Sequence, residues 1–169
     1  YMATVPIGKI SDFKGLKIRV LATEIERLSV ATLGAAGVPI PFTSVVPSIQ
    51  RKVVDGARTS LVVAAKAKFP TVTNHLTITN GYYIPCVSAF SQVWLKQLSA
   101  KNRAIVLDTA DELSHWASAR SGSFVNLMIA EWKKSGATVG YFSPAEQKEY
   151  MARLKPLGDK VFANHKNAQ

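Results

Sequence analysis

The chain has 169 residues, about the length of one domain, and 47% of them are apolar, which is enough to form a buried core. Lys and Arg number 21 against 11 acidic residues, so the net charge is +10 although only 19% of residues are charged. The single cysteine, Cys86, excludes an internal disulfide framework. No apolar run reaches the about 18 residues of a membrane span, and the first residues lack the layout of a signal peptide. We therefore expect an ordered, soluble polypeptide.

Helix and strand signals alternate over the first 64 residues. Apolar and polar side chains alternate after Gly15, which predicts a strand, and Thr23 with Glu26 forms a capping box for a helix that ends at Gly37. The predicted strands cover 16–20, 38–42 and 57–64, and the predicted helices between them cover 24–36 and 43–53. This βαβαβ order is typical of an α/β fold with a parallel sheet and right-handed crossovers.

The second half of the chain is predicted to be mainly helical. A short basic helix near Lys66 and Lys68 is followed by two predicted strands, at 76–79 and 83–90. Residues 99–136 contain no proline and carry apolar residues at helical spacing, and one helix of that span would be about 57 Å long. A compact globule of this size is about 40 Å across, so the helix either breaks at 121–123 or extends past the globule.

The last helix has a clear start signal. Ser143, Pro144 and Glu146 supply an N-cap, a proline at the first helical position and a capping-box acid. Pro156 predicts its end near Lys155.

Residues typical of catalysis or metal binding are sparse. The three histidines lie far apart, and neither zinc-ligand spacing, nor a nucleophile elbow, nor a phosphate loop occurs. The histidines are His75, His115 and His165. Cys86 is interpreted as a packed thiol, and three acidic residues, Asp108, Asp111 and Glu112, as a solvated patch on a helix. The sequence therefore predicts no catalytic residue, metal or cofactor.

Arg19 lies near the carboxyl end of the first predicted strand, the edge at which open α/β sheets bind ligands. Its planar guanidinium can bind a carboxylate through two parallel hydrogen bonds, a geometry that Lys17 cannot reproduce. The alternative is a partly buried arginine paired with a local acid, Glu24 or Asp55. Position alone leaves both interpretations open.

Several blocks of the sequence resemble the second lobe of the substrate-binding subunits of TRAP transporters, the DctP-like family. The order and spacing of the blocks are similar to those of the family over about residues 9 to 140. The blocks are Asp12-Phe13-Lys14-Gly15-Leu16-Lys17-Ile18-Arg19-Val20, Leu33-Gly34-Ala35, Pro41-Phe42, Val53-Val54-Asp55-Gly56-Ala57, Leu76-Thr77-Ile78-Thr79 and Trp94-Leu95-Lys96-Gln97-Leu98.

The resemblance implies a class II fold like that of periplasmic binding proteins, with two α/β lobes, a hinged cleft and a long helix that crosses both. Residues 1–169 would then be part of a solute-binding protein that lacks most of its first lobe. About 9–75 would form the second-lobe core, about 76–98 the crossover strands, and about 99–169 the hinge-spanning helix and C-terminal helices.

The resemblance also implies a function without catalysis. The protein would capture a small organic acid in the periplasm and deliver it to TRAP membrane subunits. Arg19 would form the salt bridge to the ligand carboxylate, and Phe42 would pack on the ligand carbon skeleton, with a core role as the alternative. The lobe face left uncovered in this chain is expected to favour self-association.

The sequence departs from the family pattern at two places. After Asp55-Gly56, where relatives resemble one another in Gln-Glu-Asn-Pro, Thr59 takes the place of the ligand-contacting asparagine, and Arg58 stands where an acid is frequent. Arg58 would either serve a second acidic group on the ligand or face solvent. A Thr-x-His pattern is replaced by Thr79-Asn80-Gly81, so the resemblance carries no ligand contact over to that loop.

Two other function classes are disfavoured by the residues. A nucleic-acid-binding module would account for the charge of +10, but the basic residues are scattered and match no recognition motif. A small α/β enzyme acting on a carboxylate would need an acid/base or nucleophile pair, for which the sequence offers no candidate.

Overall fold

The structure is a computed structural model that describes residues 1–81 and 84–163. Within these residues the strands are β1 (Met2–Ala3), β2 (Lys17–Val20), β3 (Ala36–Pro39), β4 (Gly56–Ala57), β5 (His75–Ile78) and β6 (Thr138–Tyr141). The α-helices are α1 (Glu24–Thr32), α2 (Val45–Gln50), α3 (Leu61–Lys66), α4 (Gln92–Gln97), α5 (Ala100–Lys134) and α6 (Pro144–Phe162). Short 3₁₀ turns cover Ile10–Phe13, Phe42–Ser44 and Phe69–Thr71.

The strands form one sheet in the order β3-β2-β4-β1-β5-β6. β2 pairs in parallel with both β3 and β4, so the predicted parallel βαβαβ core is confirmed. β5 and β6 are also parallel, whereas β1 runs antiparallel to its neighbours β4 and β5. The sheet is therefore mixed at its centre, because the two residues of β1 insert between a group of three parallel strands and a parallel pair.

Helices cover both faces of the sheet and give the fold three layers. On one face Ile18 and Val20 of β2 pack with Val30 of α1 and Tyr150 of α6. On the other face the cluster is formed by β4, β5, α2, α3 and α5; its members include Ala57, Leu76, Val45, Ile49, Ala64 and Trp132. Alternate residues of a strand face opposite sides, so both cores are built from the same short strands.

Several predicted boundaries in the core were wrong. The strand predicted at 38–42 forms at Ala36–Pro39, and the helix predicted at 43–53 is a 3₁₀ turn at Phe42–Ser44 followed by α2, which ends at Gln50. α1 ends at Thr32 rather than near Ala36, because Gly34 adopts a φ of 97° and turns the chain into β3. The predicted strand at 57–64 stops at Ala57, and the apolar run that follows is helix α3, which begins where the Ser60 hydroxyl accepts the Val63 N–H at 3.2 Å. A short apolar run fits a buried strand and a buried helix equally well.

The predicted strand at 83–90 was also wrong over the part that the structure describes. Residue 83 lies outside the described residues, and 84–90 are exposed and form neither helix nor strand. Pro85 lacks a backbone donor, and an isolated extended segment gains no ladder hydrogen bonds.

The long helix predicted for 99–136 is confirmed as α5, whose 35 residues span about 52 Å. The chain does not break at 121–123, where the Ser121 hydroxyl donates to the Ser118 carbonyl at 3.0 Å. The buried residues of α5 are Met128 and Trp132, close to its C-terminal end, so most of the helix extends beyond the core. None of the helices in the described part of the chain is long and apolar enough to cross a membrane.

The helix predicted to end near Lys155 continues through Pro156 to Phe162. Its start is as predicted, since the Ser143 hydroxyl accepts the Glu146 N–H at 3.2 Å. Pro156 is exposed, so the carbonyl group that loses its helical partner there can be solvated, and the helix continues past the proline.

Candidate ligand-binding site

Arg19 and Arg58 meet at the carboxyl ends of the parallel strands β2 and β4. The Arg58 N–H donates to the Arg19 carbonyl at 3.0 Å, and Arg19 is paired in register with Ala57. Ala57 belongs to the core on the α2 and α3 side. Because consecutive strand residues point to opposite faces, Arg19 lies on that side and Arg58 lies on the α1 side. The two guanidinium groups therefore flank the sheet edge.

Arg19 is buried next to an aromatic ring, and its side chain is bound to the backbone of the turn after β3. It is 2% exposed, and its Nε donates to the Ile40 carbonyl at 2.9 Å. Its Cζ lies 5.8 Å from the centre of the Phe42 ring, within the range of a cation–π interaction. Phe42 is 40% exposed and stacks on Phe69 with the ring centres 5.9 Å apart. The end of β2 and the turn after β3 thus fix Arg19 against an exposed aromatic ring.

The two acids considered as alternative partners of Arg19 have their own environments. The Asp55 carboxylate accepts the Lys17 N–H at 2.7 Å, which joins the start of β2 to the residue before β4. Glu24 is exposed in the first turn of α1. The carboxylate of Asp55 thus joins two strands of the sheet, and Glu24 lies in the first turn of α1.

Arg58 is 5% exposed and forms an ion pair with Glu26 of α1, whose side chain is 13% exposed. The alternative in which Arg58 faces solvent was therefore wrong. Glu26 was predicted only as a capping-box acid. Its N–H does donate to the Thr23 hydroxyl at 3.4 Å, but its carboxylate binds Arg58.

A cavity of about 230 Å³ opens over this ion pair at the sheet edge. It is lined by Leu21, Thr23, Ile25, Glu26, Arg58, Thr59, Ile84 and Pro85. The structure thus brings together Arg58 and Thr59, two of the residues predicted for the site. Arg19 and Phe42, the other two, form a second cluster on the opposite face of the same edge.

Glu26 is the residue of this site that the sequence interpretation missed. The signal was present, because the first turn of a helix that follows β2 lies over the carboxyl ends of its parallel neighbours. An acidic side chain in that turn therefore lies close to a basic residue that directly follows β4, as Glu26 does to Arg58.

The loop of Thr79 packs against α6. The Thr79 hydroxyl lies 3.5 Å from the Tyr150 hydroxyl, and its carbonyl accepts from the Gln147 side chain at 2.6 Å. The polar atoms of Thr79 therefore hold α6 on the sheet.

The described histidines and the acidic patch are not among the residues that line this cavity. Among the described residues no group of three or more His, Cys, Asp or Glu side chains could hold a metal ion. His75 contacts the Thr138 hydroxyl at 2.8 Å, and His115 lies 3.7 Å from Asp111 on the exposed part of α5. His165 lies outside the described residues. The acidic patch of Asp108, Asp111 and Glu112 is exposed, as predicted.

The prediction that Cys86 is a packed thiol was wrong. Cys86 is exposed, because it belongs to the segment 84–90 that runs along the surface. Its apolar neighbours in sequence indicated a buried strand that does not form.

The model of one protein family, described as bacterial extracellular solute-binding protein, family 7, matches residues 1–165. The chain belongs to this family. Family 7 is the DctP family, so the resemblance in the sequence blocks is confirmed over nearly the whole chain.

Curated relatives agree with this assignment. The chain is 27% identical over 146 residues to a solute-binding protein of Verminephrobacter eiseniae, a match that covers 86% of this chain and 43% of the relative. It is 25% identical over 153 residues to the C4-dicarboxylate-binding protein DctB of Bacillus subtilis, covering 90% of this chain and 44% of that protein. The chain thus spans less than half the length of these relatives.

Solved structures share the fold. A TRAP periplasmic solute-binding protein from Xanthobacter autotrophicus with bound β-D-galacturonate superposes with a TM-score of 0.85 at 21% identity, covering 98% of this chain and 54% of that one. One from Desulfovibrio salexigens with bound orotic acid gives a TM-score of 0.83 at 23% identity, covering 99% and 54%. These likenesses confirm the predicted fold, a lobe like that of class II periplasmic binding proteins.

Proposed function

We propose that the full-length gene product captures a small organic acid outside the cytoplasm, in the periplasm, and delivers it to the membrane subunits of a TRAP transporter. The observation that carries this proposal is the position of Arg19. In a family 7 chain, a guanidinium that is 2% exposed lies at the carboxyl end of a parallel strand beside an exposed phenylalanine ring. That edge of an open α/β sheet is where ligands bind.

The chemistry of Arg19 suits a carboxylate. Its planar guanidinium group, oriented by the hydrogen bond from Nε to the Ile40 carbonyl, is the group that we assign to the ligand carboxylate. A carboxylate bound there accepts two parallel charge-assisted hydrogen bonds, which are stronger away from bulk water. In the proposal the exposed Phe42 ring beside Arg19 packs on the carbon skeleton of the ligand.

The rest of the cleft lies outside this chain in the proposal. The relatives are about twice as long, and a binding cleft encloses most of the surface of its ligand. Ligand bound to this lobe would add contacts to a second lobe and so shift the population towards a closed form. The membrane subunits would recognise that closed form, with no bond made or broken in the ligand.

The proposal is tested by recovering the ligand. The full-length gene product is purified under native conditions and then denatured, and the released small molecules are identified by mass spectrometry. Calorimetric titration with a panel of organic acids follows. We expect a carboxylic acid to be released unchanged and to bind again with micromolar or better affinity. Absence of binding across the panel, or conversion of a bound acid into a product, would contradict the proposal.

A further inference from the structure

The long helix α5 carries a self-complementary row of residues on the part that extends beyond the core. Four positions before Trp116 stands an acid and four positions after it a base, and an apolar residue lies 11 positions away on each side. We call these five residues the Trp116 stripe: Ile105, Glu112, Trp116, Arg120 and Leu127. We propose that the stripe pairs antiparallel with the same stripe of a second copy of the protein, about a two-fold axis at Trp116.

The stripe occupies one face of the helix, and that face is open. An α-helix turns by about 100° per residue, so steps of 4 and 11 residues return to nearly the same direction. Ile105 is 54%, Trp116 46% and Leu127 57% exposed, and the two charged residues of the stripe are exposed as well. The buried residues of α5, Met128 and Trp132, lie about a third of a turn or more away round the helix.

The charges of the stripe match those of a second copy in the antiparallel direction. Within residues 1–81 and 84–163, no salt bridge engages Glu112 or Arg120. The Arg120 Cζ lies 4.7 Å from the centre of the Trp116 ring, which orients the guanidinium along the stripe. With the axis at Trp116, Glu112 of each copy opposes Arg120 of the other, because a two-fold axis repeats every contact. A parallel pair would instead oppose like charges.

The uncharged residues of the stripe fit the same register. Ile105 of one copy opposes Leu127 of the other at both ends, and the Trp116 rings meet at the centre. Thr109 and Ser123 lie seven positions from Trp116 on either side, and their small side chains allow the two helices to approach closely. Tryptophan and arginine are the residue types that contribute most often to the binding energy of interfaces.

The contact is expected to be reversible. The stripe extends over about 33 Å of helix, and one helix pair is a small interface compared with those of stable dimers. We therefore expect a dissociation constant in the micromolar range.

The stripe is distinct from the apolar groove between α5 and the segment 84–90. That groove is lined on α5 by residues such as Val106, Ala110 and Leu113, and its lining does not include Glu112, Trp116, Arg120 or Leu127. The rest of the gene product can therefore cover the groove while the stripe stays open to a second copy. The inference does not depend on the proposed function, because it involves no ligand.

Sedimentation equilibrium of the full-length gene product tests the pairing. The parent should be a reversible dimer. Glu112→Arg and Arg120→Glu each oppose like charges at two places in the dimer, so each variant alone should dimerise about tenfold or more weakly. An equimolar mixture of the two variants opposes arginine to glutamate at both places. The mixture should therefore regain about the affinity of the parent, as heterodimers.

Lys133→Glu is the matched control for Arg120→Glu. It reverses the charge of an exposed base on the same helix, outside the stripe, and should leave dimerisation unchanged. Melting temperatures of the variants show whether they fold.

Three results would overturn the proposal. A parent that stays monomeric at all concentrations excludes the pair, and protection of Trp116 from hydroxyl-radical footprinting in that monomer would assign the stripe to the rest of the gene product. A dimer that both charge reversals leave unchanged does not use the stripe. If each reversal weakens the dimer but the mixture is no stronger than either variant alone, Glu112 and Arg120 do not oppose each other.

Discussion

The backbone N–H of Arg58 donates to the carbonyl of Arg19 at 3.0 Å, while the guanidinium groups of the two residues lie on opposite faces of the sheet. Arg19 is anchored on the Ile40 carbonyl next to Phe42, and Arg58 is paired with Glu26 of α1. Two arginines that are one hydrogen bond apart along the sheet edge thus have different electrostatic environments. In the proposed function Arg19 binds the ligand carboxylate, whereas Arg58 forms an ion pair with Glu26.

Replacing Gly56 tests the insertion of β1 into the sheet. A Cβ atom at Gly56 would lie 2.4 Å from the Met2 carbonyl oxygen and 2.9 Å from the Ala3 Cα, so Gly56→Ala must displace β1. Overpacking of this kind costs about 1–3 kcal/mol or more of the free energy of unfolding. Urea denaturation should show a lower midpoint.

Gly140→Ala in β6 is the control, because a Cβ atom there would meet no heavy atom of the described residues within 4 Å. Its midpoint should stay the same or rise slightly. Equal losses in both variants would contradict the pairing of Ala3 with Gly56.

The amino group of Tyr1 makes stability depend on pH in a polypeptide that begins at this residue. It donates to the Thr77 carbonyl at 2.8 Å. Burial, with a smaller effect from the charge of Arg58, lowers its pKa from 8.0 to about 5. Between these values the unfolded chain binds more protons than the folded one. The free energy of unfolding should therefore fall by up to about 1.4 kcal/mol per unit as the pH drops from 8 to 5.

Acetylation of the Tyr1 amino group provides the comparison. The resulting amide N–H can still donate to Thr77 but has no proton to gain, so this part of the pH dependence should disappear. If the free energy of unfolding changes with pH by the same amount in the acetylated and the free form, the Tyr1 amino group is not the cause of the pH dependence.

Self-association of the 169-residue chain is expected from the apolar surface along α5 and the segment 84–90. Exposed side chains there include Val87, Ile105, Leu113 and Trp116. Sedimentation velocity should show a species whose size grows with protein concentration, because a large exposed apolar patch favours association.

Leu113→Glu, at a position that is 58% exposed, should weaken this association without lowering the melting temperature. Met151→Glu makes the same change at a position on α6 that is 41% exposed, and it should have no effect. A chain that stays monomeric at all concentrations would refute the prediction.

Phe42→Ala separates a ligand contact from a packing role. If the ring packs on the ligand, the full-length gene product should lose about tenfold in affinity, equivalent to about 1.4 kcal/mol. Phe124→Ala is the matched control, since Phe124 is similarly exposed and packs edge-on against Trp116 on α5. A Phe42→Ala variant with unchanged affinity and a lower melting temperature would instead assign the ring to the core, against Phe69.

The parts of the fold that sequence predicted well are those with strong local signals. The βαβαβ core follows from alternation and caps, and α5 follows from 35 residues without a proline. Strands β1 and β6 were not predicted. β1 has two residues, which carry no periodicity, and it becomes a strand only because β4 and β5 lie on either side of it.

The site was only partly predictable for the same physical reason. Arg19 could be singled out because a residue type and a strand end coincide in one short segment. The ion pair of Glu26 with Arg58 joins residues 32 positions apart, and its acid carries a local capping signal that concealed the tertiary contact. Local patterns predicted the elements well, whereas contacts between elements depended on the packing of the whole sheet edge.

The most direct test of carboxylate capture is calorimetric titration of Arg19→Lys in the full-length gene product with the acid that the parent binds. Lys keeps the charge but cannot form two parallel hydrogen bonds, each of which contributes about 1.5 to 3 kcal/mol when charged. The proposed function predicts that affinity falls by about ten- to a hundredfold while the melting temperature of the ligand-free protein stays close to that of the parent. Unchanged affinity together with a markedly lower melting temperature would contradict it and would make Arg19 a structural residue of the sheet edge.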